Sequence, residues 1–221
     1  MDPLDSNIWI VVPAYNESKN IGFVLDAIKN YTTNIVVVDD GSKDTTAIVA
    51  LSCAVAVIQH IINLGKGAAL KTGCDYALQN GAKKIIVIDA DGQHNPYLIP
   101  LFAEKLELTE IIFGYRKLSK AMPFVLRFGN WFISKITYLL YGVNLEDTQC
   151  GYRAFTADTY RKIRWESQDY GMESEMITQV GKWKLPYATI PVETVYQDKY
   201  KGTTIFDGVK IVLKLIRWRL M

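Results

Sequence analysis

The chain has little cysteine. Its 221 residues include three, Cys53, Cys74 and Cys150, lying far apart and at no paired metal-ligand spacing. That scatter excludes a disulfide scaffold and reads as reduced thiols in a cytosolic protein. Charge of one sign is also missing. Lys and Arg number 25 against 23 Asp and Glu, a net charge of +2, which offers no footing for nucleic acid. No apolar run approaches the roughly 18–20 residues of a membrane span. The acidic opening Met1-Asp2-Pro3-Leu4-Asp5 carries no signal-peptide pattern. No Gly-x-Gly-x-x-Gly follows the first apolar run, which argues against a dinucleotide-binding oxidoreductase. Internal repeats, linkers and low-complexity tracts are absent as well. What is present, 49% hydrophobic and 22% charged residues, is enough to bury a full core. The expectation is a soluble protein or one peripheral to a membrane.

Short apolar runs alternate with helical patterns. Ile8 to Val12, closed by Pro13, reads as the first strand. Ile21, Val24, Leu25 and Ile28 then mark an amphipathic helix capped near Ser18. Strands follow over Ile35–Val38, Ala54–Gln59, Ile85–Ile88 and Glu110–Phe113. Between them fall a helix over Thr46–Leu51 and a helix opened by the glycine-flanked loop Asn63-Leu64-Gly65-Lys66-Gly67, which turns Leu70, Gly73, Cys74 and Ala77 inward. Another helix starts at Asn95-Pro96. This alternation predicts an α/β fold, a mostly parallel sheet flanked by helices. Such sheets place ligands at the carboxyl ends of their strands, where Pro13–Glu17, Asp39–Ser42 and Asp89–Gln93 all fall.

Beyond residue 118 the pattern changes. Met122–Tyr141 reads as a helix that is apolar nearly all round, with one polar stripe of Arg127, Asn130, Ser134 and Thr137. A core helix is possible, but a domain of this size has little room for so wide a face, and contact with a membrane interface is the stronger expectation. From Ile205, the residues Val209, Val212, Leu213, Ile216 and Leu220 share an apolar face beside a basic stripe of Lys210, Lys214 and Arg217, and Trp218 and Arg219 follow. That pattern suits an anionic membrane surface or a docked terminal helix with solvated lysines. The expected organisation is a catalytic domain over 1–204, including the 122–141 helix, and a C-terminal basic amphipathic helix over 205–221.

The centre of the chain is Ile85-Ile86-Val87-Ile88-Asp89-Ala90-Asp91-Gly92-Gln93-His94. A buried strand leaves the sheet and two carboxylates appear one residue apart. Like charges that close are costly unless a cation lies between them. A hard divalent ion suits them, and Mg²⁺ or Mn²⁺ in such sites also binds substrate phosphates. A solvated Asp-Gly turn is the alternative.

Pro13-Ala14-Tyr15-Asn16-Glu17, Val38-Asp39-Asp40-Gly41-Ser42, the Asn63–Gly67 loop and Asp89–Gln93 occur in this order. Together they closely resemble the family 2 inverting glycosyltransferases of the GT-A fold. Asp147-Thr148-Gln149-Cys150-Gly151-Tyr152-Arg153 resembles the polyprenyl-phosphate (dolichol-phosphate) mannose and glucose synthase branch. The likeness covers residues 5–200 and implies a Rossmann-like nucleotide-diphospho-sugar transferase fold with C-terminal amphipathic helices. It implies a nucleoside held by Pro13, Ala14, Tyr15, Asn16, Glu17 and the Asp39–Asp40 pair. One aspartate of that pair would accept hydrogen bonds from ribose or base, and the other would close a turn. Lys66 would meet a phosphate, with a surface lysine as the alternative. Asp89, Ala90, Asp91 and Gln93 would lie against the diphosphate, with Asp89, Asp91 and Gln93 as ligands of Mg²⁺ or Mn²⁺. The resemblance assigns His94 no role.

On the acceptor side, a lipid monophosphate with a second pKa near about 6 is largely ionised at neutral pH and needs positive charge more than a base. Arg116 and Arg127 match the arginines that hold acceptor phosphate in this branch, each with a rim salt bridge as the alternative. Asp147 holds the position regarded as catalytic or acceptor-proximal, where it can orient groups rather than take a proton. The implied catalytic set is Asp91, Asp147 and Arg116. Glu173 and Glu175 match acidic positions without a derived role. One departure stands out. Dolichol-phosphate mannose synthases tend to carry Arg-x-x-Gly-x-Ser-Lys near the end, whereas this chain has Gln197-Asp198-Lys199-Tyr200-Lys201-Gly202-Thr203-Thr204. Lys199 and Lys201 would then be the late diphosphate contacts, and mannose, glucose or another hexose stays open.

The resemblance implies metal-dependent inverting transfer of a hexose from GDP-mannose or a UDP-hexose to polyprenyl or dolichyl phosphate. The site would be the cytoplasmic membrane face, reached peripherally or through a separate membrane subunit. One rival acts on a saccharide or lipid-linked glycan hydroxyl and needs Asp147 as a base. Another is a nucleotide-binding membrane module without turnover.

Overall fold

Alternating strands and helices build a seven-stranded sheet in this computed structural model, which describes residues 4–116, 124–169, 171–193 and 205–220. Strands β1 (Ile8–Ala14), β2 (Ile35–Asp39), β3 (Ala56–Gln59), β4 (Lys84–Val87), β5 (Ile111–Arg116), β6 (Arg153–Thr156) and β7 (Tyr187–Val192) take the order β3-β2-β1-β4-β6-β5-β7. The first four are mutually parallel, as the alternation of strands and helices requires. β6 runs antiparallel between β4 and β5, and β7 pairs parallel with β5. This antiparallel insertion positions the site. β6 enters the sheet from the edge where β4 leaves it, so residues just before β6 meet residues just after β4.

β1 runs two residues past its expected end. In the parallel ladder Ile10 and Ala14 bond toward β2, so the backbone of Pro13 faces β4. Pairing with β4 ends at Val11, and the missing proline N–H deprives no ladder partner. Helix α1 (Ile21–Lys29) begins after Asn20, not near Ser18. The N–H of Ser18 is taken by Asp44 Oδ2 at 3.2 Å, while Asn20 and Ile21 donate to the Glu17 carbonyl. Helices α2 (Thr46–Ser52), α3 (Lys66–Gln79) and α4 (Ile99–Lys105) follow near their expected places. A 3₁₀ turn over Pro96–Leu98 leads into α4, with the Asn95 side chain accepting from the Tyr97 N–H. One face of the sheet is covered by a core that includes Leu70 of α3 and Trp165. The other face carries Ile21 and Leu25 of α1 and the stacked pair Phe102–Tyr152.

Helix α5 (Phe124–Tyr141) reverses the usual arrangement. Asn130, Ser134 and Thr137, three members of its polar stripe, are buried, while Trp131, Phe132, Tyr138 and Leu139 are exposed. On that inward face Asn130 donates to Asp147, while Thr137 bonds back to the Ile133 carbonyl of its own helix. The fourth member is Arg127, whose side chain lies outside the described residues, as do Lys199 and Lys201 altogether. After α6 (Ala157–Ile163) and α7 (Gly171–Trp183), α8 (Ile205–Leu220) packs on α5 and α7. It buries Ile211 and Leu215 and exposes Val209, Leu213, Ile216 and Leu220. Val212 leans on the core instead of joining that exposed face. Lys214 leaves the expected basic stripe and turns toward Asp169. Among the described residues no helix is long and apolar enough to cross a membrane.

Candidate active site

The carboxyl ends of β1, β2 and β4 surround a cavity of about 610 Å³, within the range of small-ligand sites. Pro13 to Glu17, Asp40, Lys66 and Asp89 to Asp91 line it, together with Asp169, which no motif had marked. Two loops lace its first wall. Asn16 takes a left-handed backbone, φ 55°, a conformation asparagine tolerates. Its N–H donates to Ser42 Oγ, and its Oδ1 accepts from the Lys43 N–H. The Glu17 N–H donates to Thr46 Oγ1. Tyr15 stands partly exposed at the mouth.

The two adjacent aspartates do different things. Asp39 is fully buried, accepts from the Ser42 N–H and from Gln59 Nε2, and so closes its own turn. Asp40 lines the cavity and anchors the next loop. Its oxygens accept from the N–H groups of Leu64 and Gly65 at 2.9 and 2.8 Å. His60 Nδ1 lies 2.7 Å from Asp40 Oδ1, and its Nε2 lies 3.0 Å from Thr72 Oγ1. His60 carried no signal in the sequence, since a lone histidine before a loop has no periodicity to betray a partner.

Lys66, the first residue of α3, is not a solvated lysine. Its Nζ lies 2.9 Å from Asp89 Oδ1 and 3.2 Å from Glu173 Oε1. Burial works against the charge on Asp89, but the Lys66 ammonium outweighs it and holds the carboxyl below its ordinary range. Asp91 responds oppositely. Burial and then the neighbouring Asp89 charge push it up to about 6, although its Oδ1 accepts from the Gln93 N–H. His94 is buried with Nε2 3.8 Å from Asp89 Oδ2. Burial brings it down to about 4, so it is neutral at pH 7. Gly151 closes this cluster. A Cβ there would lie 2.4 Å from Asp89 Oδ2 and 2.8 Å from Lys66 Nζ.

Behind Lys66 the segment before α7 clasps the start of α3. Trp165 Nε1 donates to the Gly67 carbonyl at 2.8 Å, and the Gly67 N–H donates to the Gln168 carbonyl at 2.7 Å. Glu175 fixes that segment, its two oxygens accepting from the N–H groups of Glu166 and Ser167. Thus Glu173 touches Lys66 itself, while Glu175 holds the backbone around it. A Cβ on Gly67 would lie 2.2 Å from the Ser167 carbonyl oxygen, where only backbone could yield. Gly67→Ala is expected to cost about 3 kcal/mol, read as a lowered denaturant midpoint.

On the far side Arg116, at the end of β5, grips Asp147. Its Nε lies 2.6 Å from Oδ2 and its Nη2 3.1 Å from Oδ1. Asp147 Oδ1 also accepts from Asn130 Nδ2 and the Gln149 N–H. Burial opposes its charge, yet the Arg116 guanidinium keeps the carboxyl below its ordinary range. Arg153, from the same motif, is fully buried and serves structure. It donates to the carbonyls of Cys150, Thr148 and Glu173 and lies over the Phe113 ring, tying the motif to α7.

Among the described residues no group of three or more His, Cys, Asp or Glu could hold a metal ion. Asp89 and Asp91 stand together at the strand exit, with Lys66 Nζ against both oxygens of Asp89.

A family model described as "Glycosyl transferase family 2" matches residues 9–164. The chain is 32% identical to UDP-N-acetylglucosamine–dolichyl-phosphate N-acetylglucosaminyltransferase of Methanococcus voltae, over 96% of each chain. It is 27% identical to undecaprenyl-phosphate mannosyltransferase of Micrococcus luteus, over 96% of this chain and 94% of that one. Among solved structures, glucosyl-3-phosphoglycerate synthase from Mycobacterium tuberculosis with bound UDP superposes with a TM-score of 0.73. The identity is 19%, over 97% of this chain and 80% of that chain. The same enzyme has been crystallised with Mn²⁺ or with Mg²⁺ beside UDP.

Proposed function

The chain belongs to glycosyl transferase family 2, and from that premise we propose that it transfers a hexose from a nucleotide diphosphate sugar to a polyprenyl phosphate, with inversion, at a membrane surface. One observation carries the choice of acceptor. Asp147 is buried, bound on both oxygens and held ionised by Arg116. A carboxylate so satisfied is a poor proton acceptor, which a sugar-hydroxyl acceptor would require. A phosphate monoester is already an anionic nucleophile near neutral pH, and Arg116, oriented by Asp147, supplies charge to position it. The relatives named for dolichyl and undecaprenyl phosphate acceptors support the same reading.

On the donor side, Pro13 to Glu17 and Asp40 shape the nucleoside wall, and Lys66 stands where a diphosphate would meet its charge. Asp89 and Asp91, with Gln93, are the residues that would hold Mg²⁺ or Mn²⁺. The donor set fits: it is all oxygen, and a cation would relieve the burial and the like charge of Asp89 that push Asp91 up to about 6. Two carboxylates without a full protein cage match a Mg²⁺ site completed by substrate phosphates. A bound ion would supply charge neutralisation on the departing diphosphate. The exposed residues Trp131, Phe132, Leu139, Leu213 and Leu220, with Lys210 and Arg217 beside them, suit a lipid surface carrying the acceptor. The cytoplasmic face and the 1–204 catalytic unit are part of this proposal.

The test is nucleoside diphosphate release from GDP-mannose, UDP-glucose and UDP-N-acetylglucosamine, with short-chain polyprenyl phosphate and Mg²⁺ or Mn²⁺. One donor should turn over, only with lipid phosphate and metal present. Its rate should fall as pH drops below about 6, where the acceptor phosphate takes up its second proton. Turnover on a neutral saccharide hydroxyl without lipid phosphate would sink the acceptor assignment. Donor binding without any turnover would favour the non-catalytic alternative.

A further inference from the structure

Asp169 lines the donor cavity beside Lys66 and Gly65, and it is gripped from α8. Lys214 Nζ lies 2.8 Å from Asp169 Oδ1 and 3.0 Å from Oδ2, and the Gly171 N–H donates to Oδ1 at 2.8 Å. We infer that Lys214 and Asp169 form a positioning pair through which α8 braces the wall of the donor cavity from behind, setting affinity for the nucleotide sugar. The inference rests on the reading of this cavity as the donor site.

Helix α8 does not need this pair to stay in place. Ile211 and Leu215 are buried in the core, and Tyr141 donates its hydroxyl to the Leu215 carbonyl at 2.7 Å. A partly exposed ion pair adds little to folding. What the pair does fix is position. Asp169 follows Gln168, whose carbonyl receives the Gly67 N–H, and Gly67 follows Lys66. A shift of Asp169 is therefore felt within two residues of the lysine that faces Asp89 and Glu173. The carboxylate is also an acceptor-only group at a cavity wall, suited to hydroxyls of a ribose or a transferred sugar. Pairing with Lys214 keeps it ionised and aimed. The sequence could not show this, because 45 residues separate the partners and Lys214 reads as one more cation on a basic stripe.

The experiment measures equilibrium binding of UDP-glucose and GDP-mannose to the full chain with Mn²⁺, together with donor KM, kcat and melting temperature. Lys214→Met should weaken binding of the preferred donor roughly five- to tenfold. Donor KM should rise with kcat nearly kept, and the melting temperature should hold. Lys214→Arg should restore affinity. Gly171→Ala supplies an independent arm, because its methyl would lie 2.7 Å from Lys214 Nζ and 2.8 Å from Asp169 Oδ1 and part the pair without removing a charge. It should weaken the donor in the same direction. If Lys214→Met and Asp169→Asn both bind within twofold of wild type, the pair is an ordinary surface contact and the inference is overturned. It is equally overturned if affinity falls only together with melting temperature and arginine rescues neither. Wild-type protein that binds neither nucleotide sugar fails a different step, the donor-site reading beneath.

Discussion

Gly151→Ala should remove nearly all turnover and leave the protein folded. The added methyl would lie 2.4 Å from Asp89 Oδ2, 2.8 Å from Lys66 Nζ and 3.0 Å from Asp89 Cγ, too close for real atoms. The collisions involve ends of side chains rather than backbone, so the fold can yield at little cost. The site cannot. Asp89 and Lys66 must each move by the order of an ångström, and a misplacement of that size near reacting groups costs about 100-fold in rate. The expected result is kcat/KM down at least about 100-fold with a melting temperature near wild type. A variant that keeps turnover would show that Asp89 and Lys66 do not need their present geometry. Gly67→Ala makes the contrast, since there the obstruction is carbonyl backbone and the damage should appear first in stability.

Asp147→Asn should damage stability and turnover together. The buried carboxylate satisfies a half-buried arginine through two oxygens and takes bonds from Asn130 and Gln149 as well. An amide leaves the guanidinium short of its countercharge in a place with little water. Breaking a partly buried pair from one side costs about 2–3 kcal/mol, less than for a fully buried one, and a loosened Arg116 should lower turnover on lipid phosphate at least about 100-fold. A general base in this position behaves otherwise: its loss abolishes activity while the fold stands. Denaturant unfolding and donor-release kinetics on the same sample separate the two. Arg116→Met combined with Asp147→Asn should recover part of the stability, because no unpaired charge stays buried, while turnover remains lost. That non-additivity is the signature of a carboxylate that works through its arginine.

The first five strands, the mostly parallel sheet and the cavity rim were legible because their signals are local, whereas β6 and β7 were not anticipated and the antiparallel insertion of β6 is set by tertiary pairing. A β-branched run such as Ile35–Val38 has one buried solution, and an aspartate pair after such a run falls at a strand exit. α5 was legible as a helix with a polar stripe, but periodicity separates two faces without saying which one turns inward. The usual choice points Asn130, Ser134 and Thr137 to water. The protein buries them, because Asp147 waits inside for a donor and the opposite face carries Trp131, Phe132 and Leu139. Arg153 and His60 stayed hidden for another reason. One side chain reaching carbonyls of Cys150, Thr148 and Glu173, or an imidazole joining Asp40 to Thr72, depends on loop geometry that no spacing rule encodes. Glu175 belongs with them, since its partners are backbone N–H groups eight and nine residues earlier.

The sheet order also governs when the enzyme becomes one during its own synthesis. β1 to β4 join one another in parallel and precede the other three strands in the chain, so that half of the sheet leaves the ribosome first. β5 and β7 reach that half only through β6, which pairs with β4 on one side and β5 on the other. β6 begins only at Arg153, so during synthesis these pairings come after the β1 to β4 half has emerged. Until β6 docks, Gly151 is not beside Asp89, Glu173 has not reached Lys66, and Asp147 has no Arg116 fixed against it. A nascent chain therefore carries the carboxylate pair without the surroundings that give it work. The site is complete only once the chain through α7 has been made.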